Sequence, residues 1–495
     1  MDNQNPNLTD DRLKDVDQAE LEAFVQQRLA EEQNRREQST SAEVKIKSLG
    51  TLGSLLTVFV LGLFVTSPFI QLLLRFIKGL EDQPLVLNSS YVRYYQWTVS
   101  NTHIIARFVA AIVLIWLVVY TVIRRREGTR EEHISIGKRL CMYLPMLIFI
   151  LFVISIILVT VIRGANEYDL TGHPYMYESI YSYITYPLVY FFCGMMLFNE
   201  NLRRLIFYML IFTALPINIL AAVNKWIVKL SVFQGSGVCA VFHNSNHYGY
   251  YLAITIIASA LLFVYEQKLW LRIVCAASAV IATVVLVINN TLGAYLAVLF
   301  VLILFVVYCF FFVRENKLLS VLLLLTFVGI TVIMTFFQDT IFSSILGLFG
   351  DIGNIIEDPL ETKNDNRSSN IARWQLWKGT IRNLKDHPFL GFGVEGLLNT
   401  HHIGTPHNEF LQYAEFFGIQ TSLLYIAACC TVMLRAFFRI KTVDKTTVTG
   451  FFVCLGYLAS SFFGVAIYYT TPFIYIFLGL TYAGCLRHSI EAEET

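Results

Sequence analysis

The sequence predicts an all-α polytopic membrane protein of about twelve transmembrane helices with both termini cytoplasmic. Three observations carry this. Hydrophobic residues make up 56% of the 495 positions and charged ones 15%, where a soluble domain carries about 25% charged. The apolar residues gather in runs long enough to cross the hydrocarbon core as helices. Basic residues concentrate in alternate connections between those runs, as the positive-inside rule requires.

Residues 1–48 form a polar tail, with 11 acidic and 7 basic groups over residues 1–50, which disfavours an anionic leaflet. Within it Leu13, Val16, Leu21, Phe24, Val25 and Leu29 recur at helical spacing behind Asp10, so the tail is expected to be partly helical and solvated. No cleavable signal is expected, because the first apolar run starts only near Leu49. Windows of about 20 apolar residues then fall at 49–77, 103–123, 140–162, 178–198, 203–223, 246–265, 269–288, 291–313 and 318–337. Three more follow at 410–436, 447–468 and 470–486, before a short C-terminus at 487–495. With the N-terminus inside, the cytosolic connections hold 17 basic residues, among them Arg124–Arg126, Arg203, Arg204, Arg435 and Arg439. The short segments and adjoining helix ends on the opposite side hold 7.

The net charge of +1 gives no bulk attraction to nucleic acid. Nine cysteines are scattered without CxxC spacing and read as buried hydrophobes, so neither a disulfide framework nor a zinc site is expected.

Spans nine and ten are joined by a long segment, 338–409, expected on the extracytoplasmic side. Its run "IFSSILGLFG" (341–350) suits the membrane interface. A helical stretch, 368–388, ends at a proline and puts Trp374, Trp377, Ile381 and Leu384 on one face, with Arg373 on its shoulder and Lys378 and Arg382 toward solvent. Arg373 reads either as a snorkelling surface cation or as an anion clamp.

The stretch "TPHNEFLQYAEFFG" (405–418) follows. Thr405 is expected to cap a helix with Pro406 at its first position, so that the helix starts at His407. The helix N-terminus there favours an anion and a neutral imidazole. Asn408, Gln412 and Glu415 then lie at i, i+4 and i+7, a polar seam on an apolar helix. Such a seam faces protein or water rather than lipid: it is an interhelical hydrogen-bond stripe or part of a site. A second polar cluster, "FHNSNHYG" (242–249), offers His243, Asn244, Asn246 and His247 to a sugar or pyrophosphate, or is a solvated helix start. No HExxH pattern surrounds its histidines, so no metal is expected. "GFGVEG" (391–396) follows no βαβ strand and is not read as a dinucleotide motif.

Together "RWQLW" from Arg373, "HPFLGFG" (387–393), "HNEFLQYAEFFGI" (407–419) and "FHNSNHYGYYL" resemble the O-antigen ligase and Wzy-type polysaccharide polymerase superfamily. The resemblance implies a GT-C-like membrane glycosyltransferase of the bacterial cytoplasmic membrane, acting on its extracytoplasmic side. It would transfer a polyprenyl-diphosphate-linked glycan to a glycan, lipid or protein hydroxyl, most simply to polymerise capsular or exopolysaccharide repeats. His407 would act as general base or orienting group, and Arg373 would stabilise the leaving diphosphate. Trp374, Asn408, Gln412, Glu415, Asn244 and Asn246 would bind substrate. No cofactor or metal would be needed, and a chain-length regulator or other polysaccharide-assembly proteins would be further partners. Many family members carry another Arg where this chain has Leu292, so Lys225, Lys229 or Arg163 substitutes here or the donor is held differently.

Two other readings remain. One is a metal-dependent, lipid-linked glycosyltransferase using Glu81 and Asp82. The other is an oligosaccharide flippase, which predicts repeated halves with charges at mid-membrane.

Overall fold

The computed structural model describes residues 26–27, 50–73, 110–122, 135–171, 179–228, 230, 238–242, 244–313, 316–337, 341–357, 369–394, 405–467 and 470–494. The polar tail except 26–27, Glu81, Asp82, Lys229 and His243 lie outside the described residues.

The regular structure among the described residues is helical. Eight helices are long and apolar enough to cross a membrane: α1 (Gly50–Leu73), α3 (Ile136–Arg163), α6 (Glu200–Trp226), α7 (Ser245–Tyr265), α8 (Leu269–Asn289), α9 (Leu292–Phe312), α10 (Lys317–Phe337) and α14 (Ile419–Phe438). The shorter apolar α2 (Ala110–Val122) and the 17-residue α5 (Ile180–Met196) and α15 (Lys445–Ser461) lie in three further apolar windows. α16 (Thr471–Glu494) follows. The chain is a polytopic membrane protein. Between α10 and α14 stand α11 (Ile341–Glu357), α12 (Ser369–Leu384) and the nine-residue α13 (Glu409–Phe417), and α4 (Glu167–Thr171) follows α3.

Asparagine and aspartate start several of these helices, because their short oxygens satisfy free N–H groups in the first turn. Asn199 accepts from the Asn201 N–H at 2.9 Å, Asn244 from the Asn246 N–H at 2.8 Å and Asp444 from the Thr447 N–H at 2.8 Å. α7 is the central strut, with 94% of its apolar window buried; a helix apolar all round belongs inside a bundle. It packs on α8, α9 and α15. α5 and α16 pair beside it, as do α3 and α14. Where they meet, Tyr413 and Tyr425 lie 4.5 Å apart between ring centroids, with Phe149, Phe152 and Tyr475 around them.

The two ends of the bundle differ chemically. At one end Arg203 pairs with Asp444, Arg204 with Glu200, and the Arg439 guanidinium donates to the Cys485 carbonyl at 2.9 Å. The other end gathers the starts of α7, α9 and α13 and the irregular segment 462–467 after α15. α12 packs on α13 there.

Candidate active site

The segment expected to be one helix from His407 is built differently. Asn408, not Thr405, caps α13: its Oδ1 accepts the Leu411 N–H at 3.0 Å. The shorter asparagine side chain reaches the free amides from the position next to the helix, leaving Pro406 outside it. His407 takes the left-handed conformation, φ 48°, and its N–H donates to the Thr405 hydroxyl at 3.1 Å. The helix also breaks at Gly418, φ 86°. A Cβ there would overlap the Phe389 carbonyl, so a side chain would displace the neighbouring turn.

Each seam residue has a protein partner. Asn408 Nδ2 donates to the Phe462 carbonyl at 3.2 Å. Gln412 Nε2 donates to the Ala466 carbonyl at 3.1 Å, and its Oε1 accepts the Ala466 N–H at 2.8 Å. Glu415 accepts from the Thr380 hydroxyl of α12 at 3.2 Å. The seam thus fastens the irregular segment 462–467 and α12 to α13. Asn244 is likewise engaged as the cap of α7.

The packed face of α12 is turned by one residue from the expected one. Thr380 and Leu384 are buried, at 4% and 5% exposure, whereas Ile381 is 52% exposed. The buried Glu415 carboxylate needs a donor, and Thr380 supplies it. Trp377 lies against Phe463, and Lys378 stands over the Trp374 ring at 5.8 Å rather than turning fully to solvent.

The turn after α12 seals the break in the helix. The Phe392 N–H donates to the Glu415 carbonyl at 2.7 Å, and the Ile419 N–H to the Pro388 carbonyl at 2.8 Å. Gly391, φ 59°, permits this approach: a Cβ there would lie 2.7 Å from the Glu415 carbonyl oxygen. Arg163 braces the same junction, donating to the Phe416 carbonyl at 2.9 Å and pairing at 2.8 Å with Asp169, whose carboxylate is buried. Arg163 is therefore a brace and does not substitute for a cation at Leu292.

Against this scaffold lies a small cleft, open to solvent, lined by Asn246, Tyr250, Thr291, Gly293, Ala294, Arg373, Ser460 and Phe463. Of the residues expected to act, it takes in Arg373 and Asn246, whereas His407, Trp374, Asn244, Asn408, Gln412 and Glu415 stand outside its lining. Burial pulls Arg373 below the ordinary arginine value, and a guanidinium of this kind stays cationic. Burial first, and then the Arg373 charge, push the His407 imidazole down to about 4 from 6.5. His407 is thus neutral at ordinary pH, as the helix-terminus argument expected but for a different cause. Its Nδ1 finds no hydrogen-bond partner among the described residues. An imidazole held neutral accepts a proton, and a neighbouring cation stabilises a departing anion.

Two residues here had not been singled out by the sequence. Glu409 is fully buried and accepts from the Tyr425 hydroxyl at 2.9 Å and the Tyr457 hydroxyl at 3.1 Å. Its place one residue past an Asn cap, at the head of an apolar helix, was the available signal. Tyr250 packs on the Tyr457 ring at 5.3 Å. Nothing in "YGYYL" distinguishes it from its tyrosine neighbours.

Fold and site define a polytopic, all-helical membrane protein with a cleft at one end of the bundle lined by the half-buried Arg373 cation, whose charge is felt by a neutral histidine outside that lining. Residues 277–426 match the family model described as O-Antigen ligase, and the chain carries that domain. The matched segment runs from α8 into α14 and contains Arg373 and His407. No curated protein matches the chain.

Proposed function

We propose that this chain is a membrane glycosyltransferase that moves a glycan from a polyprenyl diphosphate to an acceptor hydroxyl at the extracytoplasmic face, polymerising repeats of a capsular or exopolysaccharide. The observation that carries the reading is the neutral, half-buried His407 imidazole within the field of the Arg373 cation, which itself lines an open cleft, both inside a segment that matches the O-Antigen ligase family. The acceptor oxygen would attack the anomeric carbon and release its proton to His407. As the bond to the diphosphate oxygen breaks, the electron pair would leave with the phosphate, and Arg373 would meet the growing charge. This reading assigns the leaving-group charge to protein and requires no metal. Buried Asn408, Gln412 and Glu415 would hold the site through α13, and Asn246 would bind donor or glycan at the cleft.

The end of the bundle without the Arg203, Arg204, Arg435 and Arg439 cluster is the extracytoplasmic one in this reading, by the positive-inside rule. Twelve spans with both termini cytoplasmic fit that placement. A ligase using the same donor differs only in its acceptor, a lipid or a protein.

The test is glycan chain length on cells in which His407→Ala or Arg373→Ala replaces the native protein, with membrane abundance measured alongside. Collapse of the polymer to single repeats at unchanged abundance is expected. Persistence of long chains in both variants would overturn the reading.

A further inference from the structure

A further part of the cleft wall, besides Arg373, also suits an anion. Gly293 and Ala294 belong to the first turn of α9, a helix of 21 residues, and Thr291 immediately precedes it. The first N–H groups of a helix have no intrahelical acceptor and carry the positive end of its dipole. The Thr291 side chain does not cap them: its hydroxyl is engaged with the Ser245 carbonyl at 3.1 Å and with Asn289. α9 opens on Leu292, so this turn presents amides and no side-chain charge.

A second, independent observation points to a ligand. Tyr250 lines the same cleft, is 3% exposed, and its hydroxyl has no hydrogen-bond partner among the described residues. Buried hydroxyls are ordinarily paired. The ring is fixed against Tyr457, which Glu409 holds in turn through its carboxylate. The hydroxyl ends beside Gly464, where any Cβ would overlap it. The site is thus built to present this hydroxyl, and a phenol is a good donor to a phosphate oxygen.

We propose that the cleft is a diphosphate site in which Arg373 takes one phosphate while the Tyr250 hydroxyl and the first-turn amides of α9 take the other. The assignment rests on the glycosyltransferase reading above. It makes Tyr250 a donor-binding residue, although it lies outside the segment that matches the family.

The test is binding of farnesyl diphosphate and farnesyl monophosphate to the purified full-length chain in nanodiscs. Wild type, Tyr250→Phe, Asn246→Asp and Arg373→Gln are compared, with thermal unfolding of each measured in parallel. Tyr250→Phe removes only an oxygen that holds no structural bond, so an unchanged melting temperature is expected. It should weaken the diphosphate about 10-fold or more, the scale of a hydrogen bond to a charged group, and the monophosphate less than twofold. Asn246→Asp, which puts a carboxylate on the wall, should weaken the diphosphate at least as much. If Arg373→Gln loses affinity while Tyr250→Phe and Asn246→Asp bind as wild type, or lose both ligands equally, the Tyr250 assignment is wrong and the transferase reading stands. If Arg373→Gln also binds unchanged and the two ligands are not distinguished, the cleft is not the donor site and both readings fall.

Discussion

Gln412 and Ala466 exchange two hydrogen bonds: the side-chain amide donates to the Ala466 carbonyl at 3.1 Å and accepts its N–H at 2.8 Å. A glutamine on α13 thereby does for the irregular segment 462–467 what a neighbouring strand would do. Without it, two buried backbone groups would lack partners. Gln412→Leu should destabilise the chain by about 2–6 kcal/mol, from two unsatisfied groups that cost about 1–3 kcal/mol each. Thermal unfolding in detergent checks this, and a wild-type melting temperature would show that Ala466 finds partners elsewhere.

Arg163 and Asp169 form a second buried support, with the Asp169 carboxylate also accepting the Val394 N–H at 3.3 Å. Removing one partner leaves the other charged and unpaired, which costs about 3–5 kcal/mol. Arg163→Gln and Asp169→Asn should each lower the melting temperature strongly, and the double variant should cost clearly less than the two together. Additive losses in this cycle would mean the pair does not act as a unit.

His407 makes the site sensitive to acid in a defined window. Its value in the folded protein is about 4, below its ordinary 6.5. At pH 7 both folded and unfolded states hold it neutral. As the pH falls from about 6.5 to about 4, the unfolded chain takes the proton first, and about 3 kcal/mol of stability is lost. The acid limb of kcat/KM should centre near pH 4 in the wild type, since that limb reports the free enzyme. In Arg373→Gln it should move upward, though not to 6.5, because burial is the larger cause. A wild-type limb near 6.5 would show His407 to be solvated.

Gly418 is the hinge on which α13 and α14 diverge. At φ 86° a side chain is strained, and its Cβ would strike the Phe389 carbonyl. Gly418→Ala should cost more than about 1 kcal/mol and loosen the turn 387–393, read as faster proteolysis after Lys385. Unchanged stability and cleavage would show that the turn can move aside freely.

Hydropathy alone located the eight long apolar helices, because burying or exposing about 20 apolar residues to lipid is a coarse, additive quantity. The break at Gly418 escaped it: a left-handed glycine inside an apolar run leaves hydropathy unchanged, and only the docked turn reveals it. The face of α12 was misjudged because the wheel ranks Ile381 above Thr380, whereas a buried carboxylate on a partner helix reverses that order. Arg373 and His407 stood out as polar groups in an apolar chain. Tyr250 and Glu409 did not, since their significance lies in partners on other helices, among them Tyr425 of α14 and Tyr457 of α15.

The most direct test of the central claim is transfer by the purified chain from a lipid-linked repeat, followed as release of polyprenyl diphosphate. In His407→Ala the turnover rate should fall at least 100-fold while farnesyl diphosphate still binds, which places His407 at the acceptor proton and Arg373 at the donor. Turnover at the wild-type rate in His407→Ala would contradict the account.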